Sequence, residues 1–169
     1  MTSLPAGHRT TTAPAAPLVA RTVLLDPELG ADLLALVPER EAADIVSWVR
    51  RGEGLVGWGR AAARTATGPD RFADLEAWWH ALTGSAVVRD EVDLPGTGPV
   101  AFGSLSYAAG SPAGATLVVP EVVVGRRGET TWLTIVGVET APSVAAVPGT
   151  PEVAAQPDPR APVDVAFAD

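Results

Sequence analysis

The stretch TLVVPEVVVGRRGETTWLTIVGV, residues 116–138, decides how this chain folds. Val, Thr, Ile, Leu and Trp dominate it, the residue types that fit a pleated, half-buried surface. Gly125-Arg126-Arg127-Gly128 interrupts the run with turn residues. Two apolar, β-rich runs separated by a short Gly-containing turn predict a hairpin, with strands over 116–124 and 130–138. Pro120 falls inside the first strand. Proline has no N–H for a ladder, so this position implies a bulge or an edge strand.

The same grammar recurs upstream. Ile45–Arg50 and Leu55–Gly59 flank the turn Arg51-Gly52-Glu53-Gly54, which predicts another hairpin. Between the hairpins the period changes. Phe72, Leu75, Trp78, Trp79, Leu82 and Ala86 fall on one face at helical spacing, so a helix is expected over 71–88, weakened by Gly84 near its end. Asp26-Pro27-Glu28 reads as a helix start, with Leu29, Leu33, Leu34 and Val37 at helical spacing and Pro38 as its stop. Arg21–Leu25 is a short strand and Val100–Tyr107 another, after a loop over 93–99. The expected fold class is α+β: antiparallel hairpins packed with one or two amphipathic helices.

Residues 1–17, rich in Thr, Ala and Pro, read as a flexible N-terminus without the apolar core of a secretory signal. Residues 18–140 form the α+β region. Residues 141–162 carry prolines at 142, 148, 151, 157, 159 and 162 and read as a Pro/Ala-rich linker. Residues 163–169, with the alternating Val163-Asp164-Val165-Ala166-Phe167, look like the start of a further region. No apolar run is long enough to span a membrane, and a cytoplasmic protein is expected.

Composition excludes much chemistry. The 169 residues include 12 basic and 20 acidic side chains, a net charge of -8, which argues against nucleic-acid binding. There is no Cys, so disulfides and thiolate chemistry are out. His8 and His80 are the two histidines, too few for a multi-His metal site. All 12 basic residues are Arg. Schiff bases, a P-loop Lys and a Lys general base are therefore beyond this sequence. The mean hydropathy of +0.20 is slightly high and hints at surface meant to be covered.

Each motif has a functional and a bland reading. Gly52-Glu53-Gly54-Leu55-Val56-Gly57 fits G-x-G-x-x-G. A dinucleotide site needs that motif to leave a strand and open a helix, whereas here a strand-like run continues into Trp58-Gly59. A Gly-rich hairpin turn is the better reading. Arg89-Asp90-Glu91-Val92-Asp93 gathers three carboxylates, but without the spacing of a calcium loop, and reads as a solvated helix end. His80 follows Trp78-Trp79 with no nucleophile elbow in the chain, and reads as a helix residue packed near aromatics. Trp48, Trp58, Trp78, Trp79 and Trp132 could stack on a ligand but have core spacing. Arg50-Arg51 and Arg126-Arg127 could grip a carboxylate, but they flank hairpin turns, where charges solvate and protect edges. No catalytic, cofactor-binding or metal-binding residue is assigned.

Three stretches resemble a known family: WVRRGEGLVGWGRAAAR (48–64), GPDRFADLEAWW (68–79) and PGTGPVAFGSLSYAAGSPAGATLVVPEVVVGRRGETTWLT (95–134). They look like the N-terminal half of bacterial isochorismate synthases, chorismate-utilising enzymes related to anthranilate and aminodeoxychorismate synthases. The resemblance spans roughly residues 20–169. It departs after the F-G-S strand, where the family tends to continue with a second Phe and acidic residues and this chain has Leu105, Tyr107 and Ala108.

The resemblance implies a magnesium-dependent isomerisation of chorismate to isochorismate, serving menaquinone or siderophore biosynthesis. In the family a Lys activates water, a Glu protonates the departing hydroxyl, and further Glu residues hold Mg2+ against the substrate carboxylate. All of these lie in the C-terminal catalytic region, of which residues 163–169 are expected to be the start and the rest is missing from this sequence, so none is carried over. The expectation is an N-terminal part that is inactive without its catalytic half or a complementary chain, and that binds no Mg2+ itself. Alternatives are a stand-alone binding or regulatory module, a truncated remnant without catalysis and, less favoured, a relative of anthranilate or aminodeoxychorismate synthase.

Overall fold

The computed structural model describes residues 17–138. The expectations for residues 1–16, for the linker at 141–162 and for 163–169 lie outside the described residues. Nine strands and one α-helix follow in chain order: β1 (Leu18–Leu25), β2 (Ile45–Arg50), β3 (Glu53–Trp58), β4 (Ala62–Ala66), α1 (Arg71–Ser85), β5 (Val87–Asp90), β6 (Phe102–Leu105), β7 (Ala115–Val119), β8 (Val122–Arg127) and β9 (Thr130–Val138). They form a six-stranded sheet in the order β2-β3-β8-β9-β1-β5 and a three-stranded sheet in the order β4-β7-β6. The α+β class holds.

Both expected hairpins form, with shifted details. In β2–β3 the turn is Arg51-Gly52, both with positive φ (57° and 80°), the type I′ pattern that matches strand twist. The glycine serves here because a side chain rarely adopts that conformation. In β8–β9 the loop is Gly128-Glu129, and Gly125–Arg127 belong to the strand rather than to the turn.

Pro120 does something the sequence reading missed. It marks neither a bulge nor an edge. It is buried where the expected strand 116–124 leaves one sheet for the other, splitting into β7 and β8. The segment paired with it bends at the same place: β3 lies in the large sheet, β4 in the small one, with Gly59 (φ 73°) between them. Ala61 N–H donates to Val119 O at 2.9 Å, and Glu121 N–H to Trp58 O at 3.1 Å. Two antiparallel strands thus turn the corner together, and a residue without an N–H suits the break in the ladder.

The Asp26 cap forms, with Glu28 N–H donating to Asp26 Oδ1 at 2.9 Å. An α-helix does not follow. Pro27–Gly30 and Leu34–Leu36 are short 3-10 turns, so α1 is the only α-helix among the described residues. Two local forces oppose a continuous helix. Asp32 Oδ1 accepts from Leu34 N–H and restarts the turn. Gly30 is pressed so closely on Thr131 that a Cβ there would overlap its side chain. Helix α1 ends at Ser85, not 88, because Val87–Asp90 is drawn into the sheet as a parallel neighbour of β1.

Each face of the large sheet has its own cover. Leu25, Val56, Trp58, Val122, Val124 and Leu133 pack under Leu33, Leu36 and Val37 of the 3-10 segment. On the other face Leu18, Ala20 and Val136 pack with Leu82, Trp78 and Trp79 of α1. Helix α1 also sits on β4 and β7 of the small sheet, with Ala62 and Val119 in the same cluster. Phe72, expected on the packed face, is exposed on the helix's first turn.

Candidate functional site

The helix-side face of the large sheet is where the polar anchoring collects. Thr22 of β1 and Thr134 of β9 are fully buried register partners with their hydroxyls 2.8 Å apart. Gly98 N–H donates to Thr22 Oγ1 at 3.0 Å. Trp132 Nε1–H donates to Gly96 O at 3.3 Å. These bonds lay the Gly/Pro loop 93–99 across the sheet. Asp90 steadies the loop's entry, accepting from the amides of Val92 and Asp93 at 3.0 and 3.1 Å and from the Thr97 hydroxyl at 2.5 Å. Burial pushes the Asp90 carboxyl up, but the Thr97, Val92 and Asp93 hydrogen bonds together hold it below its ordinary value.

Beside this loop opens an apolar groove of about 390 Å³, lined by Leu55, Trp79, Pro99, Val100, Ala101 and Leu117. It lies between α1, the corner of the two sheets and the end of the loop. No charged side chain lines it. Its chemistry therefore suits apolar side chains better than a carboxylate-bearing small molecule.

A second anchor is Arg71, the first residue of α1, 3% exposed. Its guanidinium donates to Gly68 O at 3.0 Å, Ser106 O at 2.8 Å and Tyr107 O at 2.9 Å, and stacks 4.1 Å over the Phe72 ring. Every donor–acceptor pair is charge to backbone carbonyl, which makes Arg71 a tether for the loop after β6. The sequence reading passed over it. The one available signal was a cation at a helix N-terminus, where the macrodipole disfavours it.

The other sequence candidates are dispersed. Gly52–Gly57 runs through a hairpin turn into β3 and opens no helix. Glu91 pairs with Arg21 at 3.3 Å, and both Asp90 oxygens are engaged within the chain. These acids do not fit Mg2+, and no group of three or more potential ligands comes together among the described residues. His80 points to solvent at 74% exposure, 3.9 Å from Glu76, and packs against no aromatic core. Trp58 and Trp132 are core, Trp78 and Trp79 half-buried, and Trp48 is 71% exposed, against its core spacing. Arg126 turns inward, donating to Gly30 O at 3.0 Å and Gly128 O at 3.1 Å, while Arg50, Arg51 and Arg127 are exposed. No helix of the described residues is long and apolar enough to cross a membrane.

A family model for chorismate binding enzymes matches residues 31–146. The match starts after β1 and includes both hairpins, the corner, α1, the anchored loop and the groove. It speaks for the family as a whole and does not single out isochorismate synthase. No curated protein and no solved structure matches the chain. With the match extending over more than half of its residues, the chain belongs to the chorismate binding enzyme family.

Proposed function

We propose that this chain is the N-terminal part of an isochorismate synthase, converting chorismate to isochorismate only when joined by a catalytic half. The observation that carries the proposal is the family match over residues 31–146. The three stretches that resemble isochorismate synthases, residues 48–64, 68–79 and 95–134, lie inside that match. The division of labour follows from residue chemistry. The sequence contains no Lys to act as the base. The described acids are scattered or already bonded within the chain, so a magnesium site would have to come from elsewhere. Mg2+ in such a partner would neutralise the substrate carboxylate.

On this reading residues 18–138 are a scaffold. The apolar groove beside Trp79 and Leu117 would receive side chains of the catalytic half, and the loop at 93–99 would border the contact. The test is a coupled assay for isochorismate with the purified chain, chorismate and Mg2+. The chain alone is expected to give no turnover. Adding the catalytic half of an isochorismate synthase, as a separate chain or a fusion, is expected to give isochorismate rather than anthranilate or aminodeoxychorismate. Turnover by residues 1–169 alone would overturn the proposal, and so would an aminated product from the complemented enzyme.

A further inference from the structure

Among the described residues, strand β2 is the open end of the six-stranded sheet and is hydrogen-bonded to β3 alone. Exposed edges are normally guarded by brevity, Pro, bulges or inward charges. The other end, β5, is four residues long and ends in Arg89-Asp90. Strand β2, Ile45-Val46-Ser47-Trp48-Val49-Arg50, has six residues, no Pro, no Gly and no charge before its last position. It pairs with β3 without a bulge. It also carries the most exposed tryptophan, Trp48 at 71%, beside exposed Val49.

The ladder fixes which backbone groups are free. Arg50 and Glu53 flank the two-residue turn as register partners, and Gly59 N–H donates to Asp44 O at 3.1 Å. Bonding to β3 therefore alternates through positions 44, 46, 48 and 50. The amides and carbonyls of Ile45, Ser47 and Val49 point away from the sheet.

We infer that β2 pairs antiparallel with β2 of a second copy of this chain about a two-fold axis at Ser47, joining the sheets of two protomers into one. Three independent features select the same register. The free groups of Ser47 meet those of Ser47 in the other copy, and Ile45 meets Val49, so every outward N–H and C=O finds a partner. The non-hydrogen-bonded positions, where side chains come closest, then set Trp48 against Val46, an aromatic on a β-branched residue. The next such position sets Arg50 against Asp44 at both ends of the contact. A shift by one residue would place free groups opposite bonded ones, and a shift by two would take Arg50 away from Asp44. The contact is isologous and closes at two protomers. It is one strand wide, so the dimer is a weak, micromolar one. The inference stands apart from the proposed activity, because it uses only the β2 edge.

Sedimentation velocity on the full chain from about 1 to about 500 μM tests it, a range that brackets micromolar association. The parent is expected to shift from monomer to dimer. Ser47→Pro removes an N–H that faces away from β3, so the hairpin should keep its circular dichroism while the chain stays monomeric. Asp44→Arg places like charges opposite at two symmetric contacts and should weaken the dimer about thirtyfold. Adding Arg50→Asp to that variant should restore it. Ser47→Cys gives the chain its one thiol, and mild oxidation should cross-link it to itself, since the Cα atoms of such a pair lie about 5.5 Å apart. A parent monomeric over the whole range overturns the inference. So does a dimer that survives Ser47→Pro. If Ser47→Pro unfolds the chain, the charge pair decides: equal association by Asp44→Arg and its Arg50→Asp partner variant refutes the register.

Discussion

Gly125 is a position where two ordinary rules oppose each other and the structure says which prevails. Its φ is not in the left-handed region, so alanine could adopt the same backbone. In a strand that replacement normally stabilises by about 0.5–1 kcal/mol, because Gly loses more freedom on folding. Here Gly125 lies between Leu55 on β3 and Trp132 on β9, its register partners on either side. The indole of Trp132 lies over it, and an added Cβ would fall well inside contact distance of the Trp132 ring and of Leu55 Cδ2. The ring cannot swing away cheaply, since it is buried and its Nε1–H is tied to Gly96 O. Overpacking costs about 1–3 kcal/mol, and straining the indole hydrogen bond adds up to about 1 kcal/mol. Gly125→Ala is therefore expected to destabilise by about 2 kcal/mol, lowering Tm by on the order of 10 °C. Urea unfolding followed by far-ultraviolet circular dichroism measures it. The sharper measurement is the same change in a Trp132→Leu background. With the ring gone, the intrinsic preference for Ala should reappear and the coupling should exceed about 1 kcal/mol. Additive losses in the double-mutant cycle would refute the argument, because they would put the cost of Gly125→Ala in the backbone or the Leu55 contact and not in the indole.

Arg71→Met keeps the side-chain stem but removes three charged hydrogen bonds to the carbonyls of Gly68, Ser106 and Tyr107. The expected loss is about 2–4 kcal/mol, and limited proteolysis should find a new cleavage site near the fully exposed Tyr107. Thr22→Val preserves shape but leaves Thr134 Oγ1 and Gly98 N–H without their buried partner. It should cost about 1–3 kcal/mol, and hydrogen exchange at Gly98 should speed up. Asp90 has a folded value below its ordinary 3.8, so its contribution is fully present above 3.8 and is lost as pH falls through the lower folded value. Asp90→Asn should therefore flatten the acid limb of the stability–pH curve below pH 3.8 while leaving the neutral fold intact.

Local chemistry was legible in the sequence wherever a few adjacent residues decide the outcome. Both hairpins, the start of α1 and the Asp26 cap all follow from turn residues, capping and period. Contacts distant in sequence decided the rest. Val87-Val88 carries no strand signal distinct from a helix tail; it becomes β5 because β1 offers a free edge beside it. The Leu29–Val37 spacing suits a helix, but Gly30 must lie flat against Thr131, about a hundred residues away, and the helix breaks into 3-10 turns. Pro120 was recognised as a ladder breaker, yet only the paired bend at Gly59 makes it a corner between sheets. The groove was invisible for the same reason: Leu55, Trp79 and Leu117 belong to three elements that meet only after the corner forms. The family resemblance added what residue chemistry could not, since no local constellation in this chain points to chorismate.

The small sheet offers a test of the proposed division into halves. On β7, Val119 faces α1 and the core, as does Ala62 on β4. Alternation puts Ala63, Thr65, Thr116, Val118, Phe102 and Ser104 on the opposite face. None of these belongs to either core cluster, and Thr65 and Thr116 share a hydrogen bond of 2.9 Å in the open. The face is short-chained and mildly apolar, with half-buried Phe102 as its one large group. A three-stranded sheet that the described residues cover on one side only fits a surface that a catalytic half would complete. Phe102→Ser should then separate two properties. It removes a half-buried ring with no core role, so the chain alone should lose no more than about 1 kcal/mol. Complementation by the catalytic half should fall at least tenfold in apparent affinity, the consequence of deleting an aromatic anchor at the centre of a contact. If Phe102→Ser leaves complementation unchanged while Trp79→Ser abolishes it without unfolding the chain, the catalytic half sits on the groove alone and the open face of the small sheet has another use.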